Sequence, residues 1–124
     1  MNLNLRHHLQ AMPNRTIDLA SGMRRLHTTD ESQAIEALRL LCETLEKDLF
    51  ILHAAQQQND TKAAIEILTT LQWGLRFAGV PRLETACKIL YEKLKCTQDL
   101  GKSFTLVYDE AKLFTEQYKK LIQK

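Results

Sequence analysis

Six apolar residues, Ile35, Leu38, Cys42, Leu45, Leu49 and Leu52, recur at steps of 3, 4, 3, 4 and 3. That period follows the turn of an α-helix and gathers all six onto one stripe, whereas a strand would divide them between two faces. The surrounding sequence adds no breaker, so the spacing predicts one long helix from the polar segment Thr28-Thr29-Asp30-Glu31-Ser32 to about Gln58. Thr28 and Glu31 have the spacing of a capping box at its start. A helix with one apolar stripe must bury it against other elements, as in a bundle.

The rest of the chain supplies those elements. A short helix fits Ile17 to Leu26, with Leu19, Ala20, Met23 and Leu26 on one face. Asn59-Asp60 interrupts the pattern, and Asp60 is suited to cap the next helix. That helix runs from Thr61 to about Phe77, with Ala64, Ile67, Leu68, Leu71, Leu75 and Ala78 inward. Gly79 ends it, and Pro81 belongs in the first turn of its successor. The successor buries Leu83, Ala86, Cys87, Leu90 and Leu94. Gln98 to Ser103 reads as a loop containing Gly101, after which Phe104, Val107, Ala111, Phe114, Tyr118 and Leu121 line a last helix. Only 4 glycines and 2 prolines occur in 124 residues, which agrees with an all-α chain. Short connections make successive helices antiparallel neighbours. The expected architecture is an up-down four-helix bundle over residues 16–124, with an extra N-terminal helix and a loosely ordered segment 1–15.

Composition narrows the function. With 17 basic and 15 acidic residues the net charge is +2, which disfavours a surface built to neutralise nucleic-acid phosphates. Cys42, Cys87 and Cys96 have no metal-binding spacing, and Cys42 and Cys87 lie on core stripes as small buried hydrophobes do. The odd cysteine count and the lack of an apolar leader in MNLNLRHHLQAMPNR predict a cytoplasmic protein without disulfides. No apolar run approaches the roughly 18 residues needed to cross a membrane. His7, His8, His27 and His53 have no partner at metal spacing, so no metal or other cofactor is expected.

The ordered spacings resemble those of the histidine-containing phosphotransfer (HPt) domain family. Its signature is Ala-His-x-Leu-Lys-Gly, followed by a second Gly, a Leu four residues on, and a small residue or Cys four further. Anchored on Gly79, the pattern places Leu83 on that Leu, Cys87 on the small residue and Leu71 on the Leu of the motif. Asp60 falls on the acidic residue opening the phosphoacceptor helix. IDLASGMRRL resembles the family's first helix, and EALRLLCETLEKDLFILHAAQQQND its long second helix. The likeness spans residues 17–122.

The departures are chemical. Thr69 stands where the phosphoacceptor histidine would be, Gln72 replaces the lysine and Trp73 replaces the glycine. Imidazole is a nucleophile near neutral pH, whereas a threonine hydroxyl needs an adjacent base. The lysine would have met phosphate as a point charge, and the glycine would have admitted a partner's backbone. The resemblance therefore implies a degenerate, catalytically silent member, not an enzyme, that binds a response-regulator receiver domain or a histidine kinase in bacterial two-component signalling. The implied docking face is Lys62, Glu66, Thr69, Gln72, Trp73 and Arg76, on the side opposite the Leu68–Leu71–Leu75 stripe. Trp73 is either the exposed centre of this face or covered by residues 1–15. His53 is the alternative phosphoacceptor, and a bundle that binds unrelated proteins is the third reading. The family is commonly monomeric, and a monomer is expected here, although an exposed Trp73–Phe77 patch offers a way to pair two copies.

Overall fold

The computed structural model describes residues 12–96 and 100–123. Regular structure among them is α-helical: α1 Leu19–Arg25, α2 Glu31–Gln57, α3 Thr61–Ala78, α4 Pro81–Cys96 and α5 Leu100–Ile122. Helix α2 packs on α3, α3 on α4 and α4 on α5, and α1 lies across α2 and α3. The all-α bundle expected from the periodicity is therefore the observed fold. No described helix is long and apolar enough to cross a membrane.

Helices α3 and α4 bury the stripes read from the sequence: Ala64, Leu68, Leu71, Leu75 and Ala78 on α3, and Leu83, Ala86, Cys87, Leu90 and Leu94 on α4. Ile67 is only half-buried. On α5, Phe104, Val107, Ala111, Phe114 and Tyr118 are buried and Leu121 is partly so. Asp60 caps α3, its Oδ1 accepting from the Ala63 amide at 3.1 Å. Burial pushes the Cys87 thiol up to about 12, with Glu84 adding to the effect, so this sulfur behaves as an inert core atom.

Three expectations are corrected. First, α2 buries Ala34, Leu38, Leu41, Leu45, Leu52 and Ala55, while Ile35, Cys42 and Leu49 are half-buried. The helix is rotated toward α3 because α3 and α1 both pack there, whereas α2 meets α5 only over a short stretch. A shallow apolar opening of about 300 Å³ remains between α2 and α5, lined in part by Cys42, Leu49, Tyr108 and Ala111. Leu41 lies against Gly74, where a Cβ would meet Leu41 Cδ1 at 3.4 Å, an ordinary contact. Second, the N-cap of α2 is Asp30, whose Oδ1 accepts from the Ser32 amide at 2.9 Å, and Thr28 Oγ1 accepts instead from the Asp30 amide. Third, α5 begins at Leu100, so Gly101 to Ser103 are helical, with Ser103 buried. Residues 97–99 of the expected loop lie outside the described residues.

The short helix also turns a different face inward. Gly22 is its buried residue, while Ala20 and Leu26 are exposed. Gly22 packs on the end of α3, and a Cβ on it would sit 2.8 Å from the Ala78 carbonyl oxygen. Gly79 adopts φ 79°, and its carbonyl accepts from the Asp18 amide at 2.7 Å. Two glycines thus let two backbones touch. A partly buried ion pair completes this end: half-buried Arg82 donates to both oxygens of buried Glu110 at 2.9 and 2.7 Å and to the Pro13 carbonyl at 2.9 Å. It joins α4, α5 and the segment of chain entering α1. Of the segment expected to be loosely ordered, residues 1–11 lie outside the described residues.

Candidate functional site

Helix α3 has one buried side, and the opposite side follows from it. Lys62, Glu66, Thr69, Trp73 and Arg76 are exposed, and Gln72 is half-buried at the α3–α4 junction. All six residues expected on a docking face therefore share one accessible surface. Trp73 is 58% exposed, and residues 1–11 of the segment that could cover it lie outside the described residues. An indole this open on a helix whose core stripe is complete adds little to the fold.

The ring is held in place nonetheless. Trp73 stacks on Phe77 with centroids 6.2 Å apart, and the Arg76 guanidinium lies 5.8 Å from the Trp73 ring centroid. Arg76 Nε also donates to Glu84 of α4 at 3.1 Å. Thr69, Gln72, Trp73, Arg76 and Tyr91 together line a shallow depression of about 230 Å³. Tyr91 comes from α4 and carries Lys95 Nζ at 4.4 Å from its ring centroid. Rigid aromatic rings beside an arginine are the side chains that anchor protein interfaces.

Tyr91 and Glu84 were missed in the sequence. Both flank the Leu83–Cys87–Leu90–Leu94 stripe, so the period places them at its edge. Only the packing of α4 on α3 shows that this edge meets Trp73.

The hydroxyls lining the depression are those of Thr69 and Tyr91. Thr69 Oγ1 donates to the Ile65 carbonyl at 2.9 Å, the back-bond usual for a helical threonine. Among the described residues no imidazole, lysine or carboxylate lines the depression. The other candidate, His53, is exposed on α2, with Nε2 3.2 Å from Gln57 Nε2 and its ring edge-on to Tyr108 of α5 at 6.1 Å. It faces α5 and shares nothing with the Trp73 surface. His27 follows α1 with φ 55°, and His7 and His8 lie outside the described residues. Among the described residues no three His, Cys, Asp or Glu side chains group as metal ligands would.

Comparison of folds gives the class. The HPt domain of a sensor hybrid histidine kinase from Shewanella superposes with a TM-score of 0.76 at 20% identity, covering 87% of this chain and 94% of that one. The chain thus has the helical-bundle fold of an HPt domain. No family model matches the sequence, and no curated protein does.

Proposed function

We propose that this protein is an HPt-like module without a phosphoacceptor, acting in a two-component phosphorelay by occupancy. It binds a receiver domain or a histidine kinase through the α3–α4 surface centred on Trp73. Bound there, it competes with an active phosphotransfer domain or biases the partner's conformation, and it carries no phosphoryl group itself.

One observation carries this reading. The chain has the fold of an HPt domain; Thr69, which the sequence resemblance sets at the phosphoacceptor position, bonds its hydroxyl to the Ile65 carbonyl, and on the same side of α3 stands an exposed tryptophan stacked on Phe77. A threonine in place of the imidazole, next to an exposed aromatic pair, supports a role in recognition over one in phosphoryl transfer. Interface anchors of this type contribute about 2 kcal/mol or more when truncated.

The test is binding followed by chemistry. A panel of receiver domains and kinase cores from the host is titrated with wild type and with Trp73→Ala, using calorimetry. The variant is expected to bind the cognate domain at least about 30-fold more weakly, with its thermal midpoint almost unchanged. Binding of no receiver or kinase by the wild type would favour a bundle that serves an unrelated partner. Phosphorylated cognate partner should leave the wild type unlabelled. In the triple variant Thr69→His, Gln72→Lys and Trp73→Gly, acid-labile phosphate on the new imidazole is the expected gain. Label on wild type that disappears in His53→Ala would instead make His53 the acceptor.

A further inference from the structure

The outward face of α2 carries a second pattern, independent of the Trp73 surface. Glu36, Leu40, Glu43, Lys47, Phe50 and Ala54 step by 4, 3, 4, 3 and 4, the spacing of a coiled-coil seam. This stripe lies opposite the buried Leu38–Leu45–Leu52 side. Its apolar members are open: Phe50 is 75% exposed, Leu40 50%, and neighbouring Ile51 47%. Three large apolar side chains on one solvent-facing helix back are not needed by the core. Arg39 bridges Glu36 and Glu43 at the edge of the seam, fixing both carboxylates there.

The order of residues names the occupant. Reversed about Leu45, the seam maps onto itself: Leu40 falls opposite Phe50, Glu43 opposite Lys47, and Glu36 opposite Ala54. A second copy laid antiparallel therefore meets Leu40 with Phe50 and the Glu43 carboxylate with the Lys47 ammonium, and sets Glu36 against the small Ala54, each contact made twice by the two-fold axis. A parallel copy would set Glu36 and Glu43 against themselves and Lys47 against Lys47, which like-charge repulsion disfavours. We infer that this chain forms an antiparallel two-fold dimer through the outer seam of α2, leaving the α3–α4 surface to other partners. The seam from Glu36 to Ala54 is about 27 Å long, so a modest, concentration-dependent dimer is expected.

Charge exchange tests the register. Sedimentation equilibrium across a concentration series should show wild-type dimers. Glu43→Lys alone and Lys47→Glu alone each replace two opposite-charge contacts with two like-charge ones, and each should weaken the dimer at least about tenfold. The double exchange restores the complementary pairing and should recover the wild-type constant. Phe50→Ser should abolish the dimer, with an unchanged helical spectrum showing that the bundle still folds. A wild type that stays monomeric at every concentration overturns the inference. So does a dimer that survives both single exchanges, or one lost instead in Trp73→Ala.

Discussion

Arg82→Ala should lower the stability of the bundle by about 3–5 kcal/mol, read as a drop in the urea midpoint at constant slope. The guanidinium grips both carboxylate oxygens of Glu110 and the Pro13 carbonyl, and Glu110 is buried. Hydrogen bonding to Glu110 raises the Arg82 pKa, so the cation persists throughout the working range. Truncation strands a carboxylate in the interior without a counter-charge, and stranding costs far more than the intact pair contributes. Replacing both partners, Arg82→Met with Glu110→Leu, should recover most of the loss because no buried charge then remains. Equal losses in the single and double variants would show that the Pro13 contact or the shape of the side chains matters more than the buried charge.

Gly79→Ala is expected to cost about 3 kcal/mol. The residue holds φ 79°, where a Cβ is strained by roughly 1 kcal/mol. That Cβ would also lie 2.3 Å from the Asp18 carbonyl oxygen and 2.9 Å from the Gly22 amide nitrogen, both backbone atoms with little freedom to move. Either α1 lifts from the end of α3 or the turn into α4 deforms. Gly74→Ala is the control. Its only close neighbour is the flexible Leu41 Cδ1 at 3.4 Å, and alanine favours the helix interior by about 1 kcal/mol, so that variant should be neutral or slightly stabilised. The pair separates a glycine required by backbone contact from one that merely accommodates a leucine. A Gly79→Ala protein as stable as wild type would mean that α1 contributes almost nothing to the fold.

The two substitutions also mark how far the sequence could be read. Gly79 was legible as a helix terminator, and Asp60 as a helix cap, because capping chemistry acts over a few residues. The contact of Gly79 with Asp18 and Gly22 was not, since the partners lie far away along the chain. Arg82 and Glu110, separated by 28 residues, left no pattern at all. The proposed docking surface divides in the same way. Lys62, Glu66, Thr69, Gln72, Trp73 and Arg76 follow from the period of α3, but Tyr91 and Glu84 join them only because α4 packs beside it.

By itself, then, the sequence determined the helices found among the described residues and most of the inward residues of α3, α4 and α5, and it placed threonine, glutamine and tryptophan at positions 69, 72 and 73. Those properties depend on spacing and residue chemistry within one helix. The rotation of α2, the inward face of α1, the exposure of Trp73 and the hydrogen bond that occupies Thr69 Oγ1 were decided by tertiary structure. A helical period fixes which residues share a stripe, but its apolar arc is wider than one contact. Neighbouring helices choose the part of that arc to bury, here drawing Leu41 toward Gly74 and leaving Cys42 half-covered.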